Sequence, residues 1–246
     1  MKHFCVLLMS LFVVTGVSPV VDRVFGSANF QDKTFDELEV NGSATLKDVR
    51  ADSVTARGSL DFSGLTVNTT LSAKGGCTGD HLTARECSFF GGSTLKHATV
   101  SSVEARGSFA ATEVLVTNDL LACGSLDAVK VTVRGLTTIN GGAKLVDSNL
   151  QDIVCAGREY KLYNTTVSNI VVKPAYSDAA FSTGIGFFDW LLSFFKHSKI
   201  NETKIYLKGS TRVSGDIIFE AGSGEVYLLG DALIGGRVTG GVIKKG

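Results

Sequence analysis

Glycine recurs along this chain at intervals of 16 or 17 residues. The recurring glycines are Gly42, Gly58, Gly75, Gly91, Gly107, Gly124, Gly141 and Gly157. A repeat this short cannot close a hydrophobic core of its own, so each copy must bury its apolar side against neighbouring copies. The period therefore predicts a solenoid, which is an architecture and does not by itself name an activity.

Apolar residues alternate at three places in each repeat, counted from the glycine. Because side chains on a strand alternate between two faces, each place predicts a short strand with two inward side chains. Before the glycine the inward set is Leu38, Val40, Val54, Ala56, Leu71, Ala73, Cys87, Phe89, Val103, Ala105, Leu120, Ala122, Ile139, Ile153 and Cys155. Shortly after it the set is Ala44, Leu46, Leu60, Phe62, Phe109, Ala111, Leu126, Ala128, Ala143 and Leu145, and further on Val49, Ala51, Leu65, Val67, Leu82, Ala84, Ala98, Val100, Val114, Val116, Val131 and Val133. The pattern predicts an all-β fold, a triangular β-solenoid of about ten coils.

The first 26 residues have the pattern of a secretory signal peptide. Lys2 and His3 precede an apolar run from Phe4 to Val14, and the small residues around Gly16 offer a cleavage site, so the boundary at residue 26 is approximate. The run is short for a membrane span, and an uncleaved anchor is the alternative. We therefore expect an exported protein that is secreted, periplasmic or at the cell surface.

The positions of the cysteines and the balance of charge limit the kinds of partner that the chain is expected to bind. Cys77, Cys87 and Cys155 fall on inward columns, where free cysteine behaves as a small hydrophobic residue, whereas Cys123 lies beside a corner and points outward. We expect core packing rather than a disulfide framework, with a Cys123-linked dimer as the alternative. The chain carries 24 basic and 24 acidic residues, which gives no electrostatic case for nucleic acid.

The regular array, predicted over residues 27–173, stops at Pro174, and residues 174–203 form a different segment. Helical spacing from Ile185 to His197 predicts one short inserted amphipathic α-helix. This helix packs along a solenoid flank, mediates self-association, or contacts a membrane surface or the cell envelope. Its predicted contact residues are Phe187, Phe188, Trp190, Leu191, Phe194 and Phe195. Strand patterning then resumes over residues 204–246 as two longer coils.

Two sequence phrases carry a family resemblance. Residues 40–46 (Val-Asn-Gly-Ser-Ala-Thr-Leu) and residues 213–217 (Val-Ser-Gly-Asp-Ile) resemble the glycine-cornered coils of bactofilins, polymer-forming β-helical cytoskeletal proteins. The resemblance covers about Phe35 to Val172 and Ile205 to Val242. It implies a right-handed β-helix that assembles end to end into filaments without nucleotide and serves as a scaffold. This chain adds the signal-like segment and the inserted helix.

One outward column carries ionisable residues. His81, His97 and Glu113 lie six residues after consecutive glycines, and histidine with carboxylate suits a weak metal or acid–base site. Three rungs spread the outer two residues about 10 Å apart, so only two converge easily, and a solvated column is the favoured interpretation. The catalytic motifs of serine hydrolases, zinc proteases and phosphate loops are absent from the sequence. We predict a non-catalytic protein without a cofactor or metal.

A second outward column reads Thr66, Thr83, Thr99, Leu115 and Thr132. Such a column offers a flat surface for ice or crystalline polysaccharide, although threonine is also simply favoured on strands. The function predicted from the sequence is an exported structural scaffold that self-assembles end to end. The alternatives are a surface adhesin or carbohydrate-binding module and, third, a polysaccharide-active β-helix enzyme.

Overall fold

The computed structural model describes residues 21–174 and 202–246. They form a parallel β-solenoid of about 12 turns, which confirms the predicted fold class. Residues 21–174 and 202–246 contain no helix. The predicted helix at 185–197 and its six contact residues lie outside the described residues.

The described residues form twenty-three strands. In the first half they are β1 Val21–Phe25, β2 Ala28–Gln31, β3 Thr34–Asn41, β4 Ala44–Ala56, β5 Leu60–Ala73, β6 Cys77–Phe90, β7 Ser93–Arg106, β8 Phe109–Val116, β9 Leu120–Ala122, β10 Leu126–Val129 and β11 Thr132–Val133. The remainder are β12 Thr137–Ile139, β13 Ala143–Val146, β14 Asn149–Cys155, β15 Glu159–Tyr163, β16 Thr166–Val172, β17 Thr203–Lys208, β18 Arg212–Val213, β19 Ile217–Phe219, β20 Gly224–Leu229, β21 Leu233–Ile234, β22 Val238–Thr239 and β23 Val242–Lys245.

Each turn lies directly on the one before it, so equivalent residues form columns. Leu60, for example, pairs with Ala44 on one side and with Cys77 on the other. Every inward residue named from the repeat is buried. Stacking also explains why glycine stands at position 79, where the second face would otherwise have an inward side chain. A Cβ at Gly79 would lie 2.0 Å from the ring of Phe62, so the glycine makes room for this large side chain in the turn below.

The count of about ten coils was too low. Two extra turns lie at the ends, where the repeat signal is weak: β1 and β2 surround Gly26, and β23 adds a final rung on β20. The described part of the solenoid includes Val21–Phe25, which lies within the range 1–26 assigned to the signal peptide with an approximate boundary.

The glycine column marks the corner between the first two faces, and close stacking explains it. A Cβ at Gly75 would lie 2.6 Å from the carbonyl oxygen of Gly58, and one at Gly124 would lie 2.2 Å from that of Gly107. Ordinary carbon–oxygen contacts are about 3.3 Å or longer. The backbone of one corner therefore rests on the backbone of the next, and the period in the sequence records that contact.

The segment that follows Pro174 interrupts the chain without interrupting the stack. The chain leaves after β16 and returns at β17, which pairs with β15, while β19 pairs with β16. Thr203 Oγ1 donates a hydrogen bond to the carbonyl oxygen of Gly157 at 2.7 Å, which fixes the point of return at the corner.

A buried hydroxyl column continues the apolar third face toward the C-terminus. Thr165 and Thr211 are fully buried, and Ser148 nearly so. Thr211 Oγ1 accepts from the Thr165 backbone N–H at 3.3 Å and donates to the carbonyl of Lys208 at 2.6 Å. Thr165 Oγ1 likewise donates to the carbonyl of Tyr163 at 2.9 Å. These hydroxyls are tolerated in the core because backbone groups satisfy them.

The cysteines follow the prediction. Cys77, Cys87 and Cys155 are buried and free, and Cys123 is half-buried and free. Burial raises the pKa of each of the three buried thiols to about 12. These thiols therefore stay protonated and act as core side chains.

Glu39 is the most buried charged residue of the first turns, at 9 % exposure. Arg23 Nε lies 2.6 Å from Glu39 Oε2, and Arg57 Nη2 lies 2.7 Å from Oε1. The Arg23 hydrogen bond lowers the pKa of the Glu39 carboxyl, with Arg57 adding to the effect. One carboxylate thus joins residues of three successive turns.

Candidate functional site

The predicted ionisable ladder lies on the second corner, between the second and third faces. Residues at this corner adopt the left-handed conformation, with φ between 47° and 56° for those other than glycine. They are Asp32, Asp48, His81, His97, Glu113, Lys130, Asp147 and Asn164, and Gly64, Gly209 and Gly230 occupy the equivalent positions in other turns. Asp, Asn and Gly tolerate this conformation best, and His is also enriched in it. The left-handed backbone therefore explains why most residues of the column are Asp, Asn, Gly or His. Glu113 and Lys130 are the members that this conformation does not favour.

His81 and His97 meet in successive turns. Their rings stack with centroids 4.9 Å apart and an interplanar angle of 27°. Asp80, which directly precedes His81, lies between them: its Oδ1 is 2.7 Å from His97 Nδ1 and 3.1 Å from His81 Nδ1. The ligand atoms of these three residues all lie within 4.8 Å of one another.

Glu113 lies on the other side of His97. Its Oε2 is 3.4 Å from His97 Nε2, while its Oε1 accepts a hydrogen bond from Lys130 Nζ at 2.8 Å. The hydrogen bond with Lys130 lowers the pKa of Glu113 and raises that of Lys130. On the opposite side, the hydrogen bond with His97 lowers the pKa of Asp80.

The structure thus brings together His81 and His97 as the spacing indicated, and it separates Glu113 from the point where they converge. Sequence analysis missed Asp80, because it belongs to the outward column of the second face rather than to the corner column. Its signal was its position: a carboxylate directly before one histidine and one turn below another. All three side chains remain accessible, at 43 % exposure for Asp80, 66 % for His81 and 45 % for His97.

The predicted threonine column lines a shallow groove on the third face. Thr66, Thr83 and Thr99 pair in register, and Leu115 follows them. Asn68 and Arg85 form part of the same groove. The arrangement offers hydroxyl, amide and guanidinium groups along one outer surface.

The C-terminal end exposes the ends of the core columns. Ile234 and Val238 are only partly buried, and Ile243 is 48 % exposed. The residues on which they stack, Val213, Ile217 and Val226, are buried. Among the described residues no strand pairs with the outer edge of β21, β22 or β23.

Comparisons of this chain with protein-family models, with curated proteins and with solved structures found no match. The parallel β-solenoid is the part of the resemblance to bactofilins that the structure supports. Within residues 21–174 and 202–246, the structure has no helix long and apolar enough to span a membrane.

Proposed function

We propose that this protein is an exported, non-catalytic β-solenoid scaffold whose copies associate end to end, as the resemblance to bactofilins implies. The observation that carries the proposal is the C-terminal end. Ile234, Val238 and Ile243 leave three core columns partly exposed, beside strand edges that pair with no other strand of the described residues. A second copy that placed its first turn on this end would bury those side chains and pair those edges.

Two lysines at the same end oppose that association. Lys244 Nζ lies against Glu225, but Lys245 pairs with the position of Leu228 in the turn below, at the edge of a core column. Lysine on an edge strand discourages pairing with another chain. We therefore expect end-to-end association to be reversible and to strengthen in Lys245→Leu.

The test is negative-stain electron microscopy combined with sedimentation velocity over a range of protein and salt concentrations. We expect filaments or oligomers one solenoid wide that are lost in Ile243→Lys. The matched control is Leu233→Lys, since Leu233 is 55 % exposed in the last turn but points outward rather than along a core column. Monomers under every condition, or an equal effect of the two substitutions, would reject end-to-end association.

Export is supported by the apolar run at residues 4–14, which lies outside the described residues. A non-catalytic role is supported by the nature of the groups with shifted pKa values. Among the described residues, four are groups that burial keeps protonated, namely Cys77, Cys87, Cys155 and Tyr160. The other seven belong to ion pairs: Glu39, Asp80, Glu113, Lys130, Lys161, Glu225 and Lys244. Cell fractionation with an antibody against the protein tests export, and turnover on a polysaccharide panel would reject the non-catalytic assignment.

The groove on the third face supports a second candidate, a surface module that binds carbohydrate. Hydroxyl groups at Thr83 and Thr99 are spaced by the strand repeat, and Arg85 adds a donor beside them. A glycan-array signal that Thr83→Lys and Thr99→Lys abolish would favour this candidate. A scaffold with no ligand on this face would be indifferent to both substitutions.

A further inference from the structure

We propose that Asp80, His81 and His97 form a binding site for a divalent transition metal, with Zn²⁺ as the ion that the ligand set fits best. Two imidazole nitrogens and one carboxylate are ordinary zinc ligands. Mg²⁺ and Ca²⁺ prefer oxygen ligands throughout, so this set disfavours both. The ligand set differs from the sequence-predicted column, because Asp80 takes the place of Glu113.

The distances suit such an ion. Ligands about 2.1 Å from a tetrahedral zinc ion lie about 3.4 Å from one another. The two Nδ1 atoms lie 2.7 and 3.1 Å from the same oxygen of Asp80. The ligand atoms of the three residues all lie within 4.8 Å of one another, so each would move by about 1 Å or less to admit the ion. Because all three side chains are exposed at their tips, that movement meets little resistance.

The backbone holds the ligands in place. His81 and His97 both have left-handed φ values, 56° and 47°, at one corner of consecutive turns. The strands on either side are in register, with Asp80 opposite Lys96 and Leu82 opposite Ala98. The positions of the two histidines are thus fixed by the ladder rather than by a flexible loop, which reduces the ordering that metal binding requires.

Glu113 supplies the supporting contact that metal-binding histidines usually have. A ligating histidine typically directs its second ring nitrogen at a carboxylate, which fixes the tautomer and orients the ring. His97 directs Nδ1 at Asp80 and Nε2 at Glu113, and Lys130 in turn holds Glu113. Glu113 is therefore a positioning residue for His97 and not a ligand.

With three protein ligands on an exposed corner, the ion keeps at least one position for water or for a ligand from another molecule. The site lies on the side of the solenoid and not at its ends. Metal binding at this site therefore does not depend on end-to-end association.

Isothermal titration calorimetry of the untagged full chain with ZnCl₂ tests the site, with MgCl₂ as the comparison ion. We expect one Zn²⁺ per chain and no heat from Mg²⁺. In His81→Asn and His97→Asn the binding should be lost, and asparagine is chosen because it tolerates the left-handed conformation. Glu113→Gln should retain the site but weaken it by about 10- to 100-fold.

Asp48→Asn is the matched control, because Asp48 occupies the same corner column with φ of 50° and has no histidine in the adjoining turns. It should leave Zn²⁺ binding unchanged. Co²⁺ absorption gives a second readout, since a tetrahedral site with nitrogen ligands produces visible bands that His97→Asn would remove. No Zn²⁺ binding by the intact protein, or binding of equal strength in the double variant of His81 and His97, would overturn the proposal.

Discussion

Gly75 and Gly76 are neighbours at the same corner, but only one of them should accept a methyl group. A Cβ at Gly75 would lie 2.6 Å from the carbonyl oxygen of Gly58. To reach an ordinary contact of about 3.3 Å, the two turns would have to separate by about 0.7 Å. The hydrogen bond of 2.9 Å from the Lys74 N–H to the Ala56 carbonyl lies directly beside this corner and resists that separation.

A Cβ at Gly76, in contrast, would have its nearest contact at 3.9 Å, the carbonyl oxygen of Gly92. Gly76→Ala should therefore be neutral or should stabilise the protein by about 0.4–1 kcal/mol, because alanine restricts the unfolded chain. Gly75→Ala gains the same restriction. The difference between the two variants thus isolates the steric clash, for which overpacking gives about 1–3 kcal/mol.

Urea unfolding followed by far-ultraviolet circular dichroism measures this difference, and the slope of the transition checks that the unfolding reaction is the same. The Gly75→Ala midpoint should fall clearly below the wild-type midpoint, and the Gly76→Ala midpoint should equal or exceed it. If the two variants unfold at the same urea concentration, the explanation of the glycine period by backbone contact is wrong.

Three substitutions and one labelling experiment probe the core and the ion pairs. The hydroxyl of Thr137 is fully buried and has no hydrogen-bond partner among the described residues, so Thr137→Val should raise the free energy of unfolding by about 1 kcal/mol. Thr165→Val should instead lower it by about 1–3 kcal/mol, because the Thr165 hydroxyl donates to the Tyr163 carbonyl and accepts from the Ser148 N–H. Paired urea titrations should show opposite signs, and a shared sign would contradict the argument. Because its arginine partners lower the pKa of Glu39 in the folded state, the ion pair contributes stability above the unfolded-state pKa and loses that contribution as the pH falls through the folded-state pKa. Glu39→Gln should therefore lower thermal stability at neutral pH and weaken its acid dependence, and unchanged pH curves would rule out this role. Among the described cysteines only Cys123 should react with a thiol reagent before unfolding, as mass spectrometry of the labelled peptides would show; labelling of a buried cysteine in the native state would indicate local opening of the core.

Sequence periodicity predicted the core well, because in a solenoid every turn must bury the inward side chains of its strands against the neighbouring turns. Leu60, Val103 and Val131 could each be placed inward by counting from a glycine. The count failed where the recurrence fades, at the turn around Gly26 and at the final strand. Among the described residues, the turns at these two ends pair with another turn on one side only, so the pattern there is less constrained.

The candidate site was harder to predict, because it depends on contacts between columns. Counting placed His81 one turn below His97 but treated each column separately, so Asp80 in the adjacent column was overlooked. The left-handed backbone of the corner was also missed, although Asp48, Asp147 and Asn164 in one column are typical of it. Side-chain direction at a corner follows from the backbone conformation there, which alternation along a strand cannot supply.

The chain returns at Thr203 on the same corner that it left at Pro174. The geometry of the solenoid therefore does not depend on the length of the segment inserted there. The residues on either side of the segment stack on nearby positions of the same lower turn, Val172 on Cys155 and Lys204 on Glu159, so equivalent residues stay stacked across the break. A foreign loop or small domain grafted between these residues should therefore leave the rungs unchanged. Grafts at the same corner of two different turns would be held apart by about 4.8 Å for each turn that separates them. The solenoid would then display two groups at a chosen separation.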